Sequence, residues 1–236
     1  MVEAGLIHHP PAATLQQLLW TELCSIVVKQ SVKIMFPVLA SQLLIAAVAF
    51  SRVPGMLVAA WLGAVLFIHA ARLALLRPAL LNDTIGLPQR VRYAVSMSWA
   101  SGIIHACSVF FLPYLTLYQQ AIHSVLLLGL CAGCIAVNVG HIGIVIGFLA
   151  PIVTAIAAFW VAQTAAAGNW EAGAVGLLTV FYGFTLLFLS RDTWRTFERS
   201  VAIRLENAEL ARRLESALQR AEAASRSKTR FLASAS

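Results

Sequence analysis

Four residues within one apolar run, Cys131, Cys134, Asn138 and His141, are of types that carry chemistry. Thiolates and imidazoles hold copper(I) or zinc, and steps of three, four and three put all four on one helix face, provided the helix runs on as far as His141. Zinc ribbons and fingers, however, set their ligands on turns that wrap the ion, whereas one straight helix offers at most two or three groups to a single point. A second helix would have to contribute, and His105 with Cys107 is the comparable pair. The same residue types also line close contacts between helices in lipid, or the polar wall of a ligand pocket. Packing, pocket wall and metal site are the open readings; packing is the simplest, and no metal ligand set is assigned.

Polar groups at membrane depth are costly and often functional. His105, in the middle of its apolar segment, needs a partner, which is either a neighbouring helix or the carboxyl or hydroxyl of a ligand. His69, beside Arg72, reads as an interfacial residue, as do His123, Gln163 and Trp170 at the opposite surface, while Gln42 reads as an interhelical hydrogen-bonding group. Pro113 and Pro151 each remove a backbone hydrogen bond and can kink their helices, which opens space. Gly143 and Gly147 lie one turn apart, a face suited to close packing. These features predict a shallow apolar pocket bounded by spans three to five and opening to the membrane or its outer face. Its candidate ligand-binding residues are His105, Cys107, Pro113, Cys131, Cys134, Asn138, His141 and Pro151.

The elements that hold these residues follow from composition. Of 236 residues, 60% are hydrophobic and 11% charged, and the charges avoid the middle of the chain, a pattern foreign to soluble domains. A hydrocarbon core about 30 Å thick takes roughly 20 apolar residues per helix, and unbroken runs without alternation select helices over a barrel. The fold class expected is therefore an all-α integral membrane protein, a six-transmembrane-helix bundle with spans near 34–51, 56–76, 94–116, 121–139, 142–163 and 172–190. From 121 to 163 there is no charged residue, so a tight turn must divide the run, and Asn138 with Gly140 is the expected place.

Lys29, Lys33, Arg72, Arg77, Arg90, Arg92 and the ten basic residues after the sixth span lie on one side, against Arg52 on the other. Basic residues are retained in the cytoplasm, so both termini are expected there. Residues 1–33 lack a cleavable signal peptide. Leu15, Leu18, Leu19, Leu23, Ile26 and Val27 recur there at helical spacing, as an interfacial amphipathic helix or as a plain extension of span one. Cys24, Cys107, Cys131 and Cys134 are expected as free thiols.

Residues 191–236 change character, with ten basic and six acidic residues and neither Pro nor Gly. One long helix is expected. Ile203, Asn207, Leu210, Leu214, Ala217, Ala221, Ala224, Lys228 and Phe231 recur at steps of four and three, the seam of a two-stranded coiled coil in which Asn207 fixes register and favours a homodimer. The ending LENAELARRLESALQ followed by AEAASRSKTRFLASAS resembles the segment before the phosphoacceptor histidine of bacterial membrane sensor histidine kinases. Lys228, Phe231, Leu232, Ala233 and Ser236 match the pattern K-x-x-F-L-A-x-x-S of that family, and the chain stops one residue short of the histidine. The similarity is greatest to hybrid kinases whose six spans lead directly into the kinase core, some of which sense fatty-acid-like quorum signals.

The resemblance implies a protein in which a histidine attacks the γ-phosphate of ATP, with ATP and Mg as cofactors and a response regulator or receiver domain as partner. Residues 1–236 carry no catalytic residue of that reaction, no nucleotide-binding motif and no expected cofactor. No nucleic acid partner is expected. Domains are read as 1–33 (N-terminal interfacial helix), 34–190 (sensor bundle) and 191–236 (coiled-coil linker), with Arg191, Trp194, Arg195, Asn207, Leu210 and Leu214 transmitting the signal. Outer loops of a few residues leave nothing to capture a soluble polar ligand, so the stimulus is expected to be an apolar, membrane-soluble molecule or the state of the membrane lipid. A membrane anchor, or a small transporter, is the alternative; the latter fares worse because the spans offer no acidic or basic group at depth to couple an ion.

Overall fold

The computed structural model describes residues 12–82 and 84–235, and the side chains of 12–14, 167, 224 and 227–235 lie outside the described set. Every regular element is helical, and no strand occurs among the described residues. The order is α1 (Ala12–Lys33), α2 (Met35–Phe50), α3 (Gly55–Ala71), a π-helical turn (Arg72–Leu76), α4 (Arg77–Leu81), α5 (Leu87–Ala106), a 3-10 segment (Cys107–Tyr114), α6 (Leu117–Val137), α7 (Ile142–Ala167) and α8 (Trp170–Ala235).

Five stretches are long and apolar enough to cross a membrane: Gly55–Leu81, Leu87–Tyr114, Leu117–Val137, Ile142–Ala166 and Trp170–Ala223. A sixth results only if Leu15–Lys33 and Met35–Phe50, bent by 50° at their junction, count as one span. This architecture is compatible with a multi-pass membrane protein. Large side chains such as Phe36, Met56, Phe67, Phe110 and Phe181 stay exposed on it, as lipid-facing surfaces require.

The boundaries have local causes. Pro113 sits in the 3-10 segment, where it cannot donate to an α-helical ladder, and the Gln120 amide donates to the carbonyls of Leu112 and Leu115 at 3.0 and 3.1 Å. Thr116 begins α6 through a capping box with Gln119, so that helix starts before the expected 121. Between α5 and α7 the backbones approach closely, because a Cβ on Gly102 would lie 2.6 Å from the Gly147 carbonyl oxygen. Gly147 in turn meets Trp99, and Gly143 faces Val95, so the Gly143/Gly147 face is a packing face. Ser98 adds a hydrogen bond to the Ile144 carbonyl at 2.6 Å. The main core gathers Ile45, Val65, Leu112, Leu127, Ile152 and Ile156.

Two expectations change. The apolar stripe of α1 packs on protein, with Leu23, Cys24 and Val27 forming a cluster with Leu76, Leu80, Ala94 and Ile144. Its periodicity was equally suited to lipid or protein, and the neighbours that decide between them are more than forty residues away in sequence. The second span also does not stop at 76; the helical path continues through Arg77 to Leu81. An arginine is a good helix former, so its charge marks an interface without ending the helix.

The chain divides into two compact units between Arg195 and Thr196, inside α8. In the second unit Ile203, Asn207, Leu210 and Leu214 are exposed, and Arg213 pairs with Glu209 at 2.9 Å along the helix. The side chains of Ala224, Lys228, Phe231, Leu232 and Ala233, and Ser236 itself, lie outside the described residues.

Candidate functional site

The run from Cys131 to His141 is helix and then turn. α6 ends at Val137, with Asn138 as its C-cap at φ −103°, and Val139 and Gly140 follow at φ 53° and 72°. Two successive left-handed residues reverse the chain, and the Gly140 N–H closes the helix by donating to the Ile135 carbonyl at 3.1 Å. The expected one-face stripe therefore does not exist, because the helix that would align His141 with Cys131 stops before reaching it. Cys131 is in the main core, Cys134 and Asn138 face a cavity, and the His141 ring meets the Trp194 ring edge-on at 5.2 Å between centroids.

That turn is fastened to α8. Ser190, fully buried, donates through Oγ to the Gly140 carbonyl at 2.7 Å. A Cβ on Gly140 would lie 2.2 Å from the Ser190 carbonyl oxygen and 3.0 Å from the Trp194 nitrogen. Only glycine permits both the backbone conformation and this approach. Of the other expected transmission residues, Arg191 is exposed, and Arg195 makes an exposed contact with Asp192 at 3.8 Å, a pairing worth little.

The cavity, about 240 Å³, is enclosed by α2, α3, α5, α6 and α7. Ile34, Pro37, Val38, Leu130, Val137 and Phe148 supply its apolar wall, and His69, Arg72, Ser101, His105, Cys134 and Asn138 its polar groups. His105 is 1% exposed, and its Nδ1–H donates to the Ser101 carbonyl at 2.6 Å. Nε2 is then the acceptor of the neutral ring, and it has no partner. The Asn138 Nδ2 donates to the Cys134 carbonyl at 2.8 Å, which leaves Oδ1 as a second buried acceptor without a partner. Two unfilled acceptors at the edge of an apolar cavity suit a ligand with an apolar body and a hydroxyl or protonated carboxyl donor.

Measured against the expected site, His105, Cys134 and Asn138 come together there. Cys107 is exposed, Cys131 is packed in the core, His141 lies at the turn, and neither Pro113 nor Pro151 lines the cavity. The pocket lies at the end of the bundle that carries Arg72, among Ile34, His69 and Asn138. Its walls are drawn from α2 and α3 as well as the later helices, because His69 reaches inward to within 5.8 Å of His105, ring to ring. His69 was the missed residue. Its Nδ1 contacts the Val65 carbonyl at 2.8 Å, a geometry that depends on the rotational phase of α3. Arg72 belongs to the same wall.

Two more polar readings change. His123 is fully buried and pairs with the Ser108 hydroxyl at 3.0 Å, which the 3-10 segment turns inward. Gln42 is buried as well, and neither of its amide atoms has a partner. No group of three or more His, Cys, Asp or Glu residues able to hold a metal ion occurs among the described residues, and the four cysteines are free. No family model, curated protein or solved structure matches this chain.

Proposed function

We propose that this chain is the membrane input module of a two-component sensor histidine kinase, spanning a bacterial inner membrane six times with both termini in the cytoplasm. A membrane-soluble signal enters the cavity at His105 and Asn138, and α8 carries the resulting shift to a dimeric kinase core that uses ATP and Mg and phosphorylates a response regulator or receiver domain. The observation that carries this reading is the physical continuity from Asn138 in the cavity wall, through the Val139–Gly140 turn, to Ser190 and Trp194 on α8. A ligand donating to Asn138 Oδ1 or His105 Nε2 favours one packing of the turn over another, and only such a differential interaction shifts a two-state equilibrium. Fatty-acid-like molecules with a hydroxyl or carboxyl group suit the mixture of apolar wall and unfilled acceptors. The exposed heptad positions Ile203, Leu210 and Leu214 support a coiled-coil dimer in the tail.

The test joins the chain in register to a histidine-kinase core, reconstitutes it in lipid and measures autophosphorylation against medium-chain fatty acids and their hydroxylated and methyl-ester relatives. One compound is expected to shift the rate, and His105→Ala to weaken its half-effect concentration by about tenfold, the value of one hydrogen bond to a buried acceptor. A rate indifferent to every compound, yet dependent on bilayer thickness, would sink the pocket reading.

A further inference from the structure

A second cavity, of about 250 Å³, lies between α1 and the π-helical turn, lined in part by Val28, Ser31, Val32, Arg72, Leu76 and Arg77. Two arginines line one cavity, Arg72 half-buried and Arg77 exposed, and the π turn accounts for their meeting there. In an α-helix, residues five apart point about 140° away from each other. A π turn closes i→i+5 hydrogen bonds, so residue 77 comes to stand over residue 72, and the turn spans Arg72–Leu76. π turns persist at a cost to the helix and are found often at functional sites.

Among the described residues, nothing acidic balances the charges in this cavity. The Arg72 Nε donates to the Ser31 hydroxyl at 3.2 Å, and Ser31 is itself anchored on the Val27 carbonyl at 2.6 Å. That contact fixes the guanidinium plane and leaves its two terminal nitrogens for another acceptor. Among the described residues no Asp or Glu lines the cavity, and neither arginine makes an ion pair. A half-buried guanidinium whose protein partner is a single hydroxyl calls for an anion. Paired guanidinium edges match phosphate oxygens in bidentate geometry. The remaining walls, Val28, Val32 and Leu76, are apolar, and Val32 is 58% exposed, an opening through which a hydrocarbon chain can leave.

We propose that Arg72 and Arg77 form a phosphate-binding site between α1 and the π turn, filled by the headgroup of an anionic phospholipid. The same chemistry would accept a free phosphate ion, and the apolar mouth is what favours the lipid. The site shares Arg72 with the first cavity, whereas Arg77 lines only the second, so Arg77 variants test it apart from the signal reading.

The purified full chain in neutral detergent would be titrated with phosphatidylglycerol, phosphatidylcholine or inorganic phosphate, following thermal unfolding by tryptophan fluorescence and counting bound lipids by native mass spectrometry. Phosphatidylglycerol should raise the unfolding midpoint where phosphatidylcholine does not. Arg77→Gln should weaken half-saturation on the order of tenfold, as expected for losing one charge-assisted pair, and Arg77→Lys should retain part of the effect. Arg52→Gln, at the opposite end of the bundle, should leave it intact. A shift with inorganic phosphate alone would keep the phosphate site and assign it a soluble occupant; a shift confined to phosphatidylglycerol would assign the lipid. Equal effects of both lipids, an undiminished shift in Arg77→Gln and Arg72→Gln, or an equal loss in Arg52→Gln would overturn the proposal.

Discussion

At Gly140 two constraints coincide, a left-handed backbone at φ 72° and a neighbouring carbonyl 2.2 Å from where a Cβ would stand. Gly168 has the first constraint, at φ 65°, without the second. Gly140→Ala should therefore destabilise the protein by more than about 2 kcal/mol and Gly168→Ala by about 1 kcal/mol, as read from unfolding in a nondenaturing detergent. His141 beside it gives a pH signature. Burial holds its ring below the ordinary value of 6.5, so the folded chain resists a proton that the unfolded chain accepts. The stability this contributes is complete above 6.5 and drains away as pH falls below it. The unfolding midpoint should drop between about pH 7.5 and about pH 5.5, and His141→Gln should flatten part of that slope. Identical slopes in the two proteins would rule out His141 as a contributor.

Among the helices, the turn between α6 and α7 is hydrogen-bonded to α8 through one hydroxyl. Ser190→Ala would leave the buried Gly140 carbonyl without its donor, a loss of about 1 to 3 kcal/mol. On the sensor reading the same variant should bind the signal with unchanged affinity and fail to transmit it to the kinase; a full response in Ser190→Ala would disprove this route. How much of this was legible from sequence varies by element. The division of the charge-free run at Asn138 and Gly140 could be read, because glycine in that setting marks a chain reversal. The inward face of α3 could not, since its apolar residues surround it and give no rotational phase, and so the approach of His69 to His105 stayed hidden. The burial of His123 depended on Ser108 being turned inward by a 3-10 segment whose cause, Pro113, was recognised only as a kink.

For the whole molecule, the apolar content pointed to helices long and apolar enough to cross a membrane, five of which the structure has, while a sixth depends on whether α1 and α2 act together. The tail gives the sharper test of assembly. If Leu210 and Leu214 lie on a seam between two copies, single cysteines at those positions should cross-link in membranes, and cysteines at Arg212 or Glu215 on the other side should not. Equal cross-linking at all four positions would remove the coiled-coil dimer from the account. Here the long helix of the tail was readable because its composition and spacing are local, whereas the docking of α1 on Leu76 and Leu80 required tertiary neighbours that no local pattern encodes.

The bend after α1 sets a length. α2 has 16 residues, about 24 Å of helix at 1.5 Å per residue, and so falls about 6 Å short of a 30 Å hydrocarbon core. If α2 crosses the membrane, the bilayer around it must thin, or the 50° joint at Ile34 must straighten to lend it a turn. Each ångström of such hydrophobic mismatch costs a fraction of about 1 kcal/mol. A thicker membrane should then strain this joint more than any other part of the fold, and the protein should partition toward thinner bilayers.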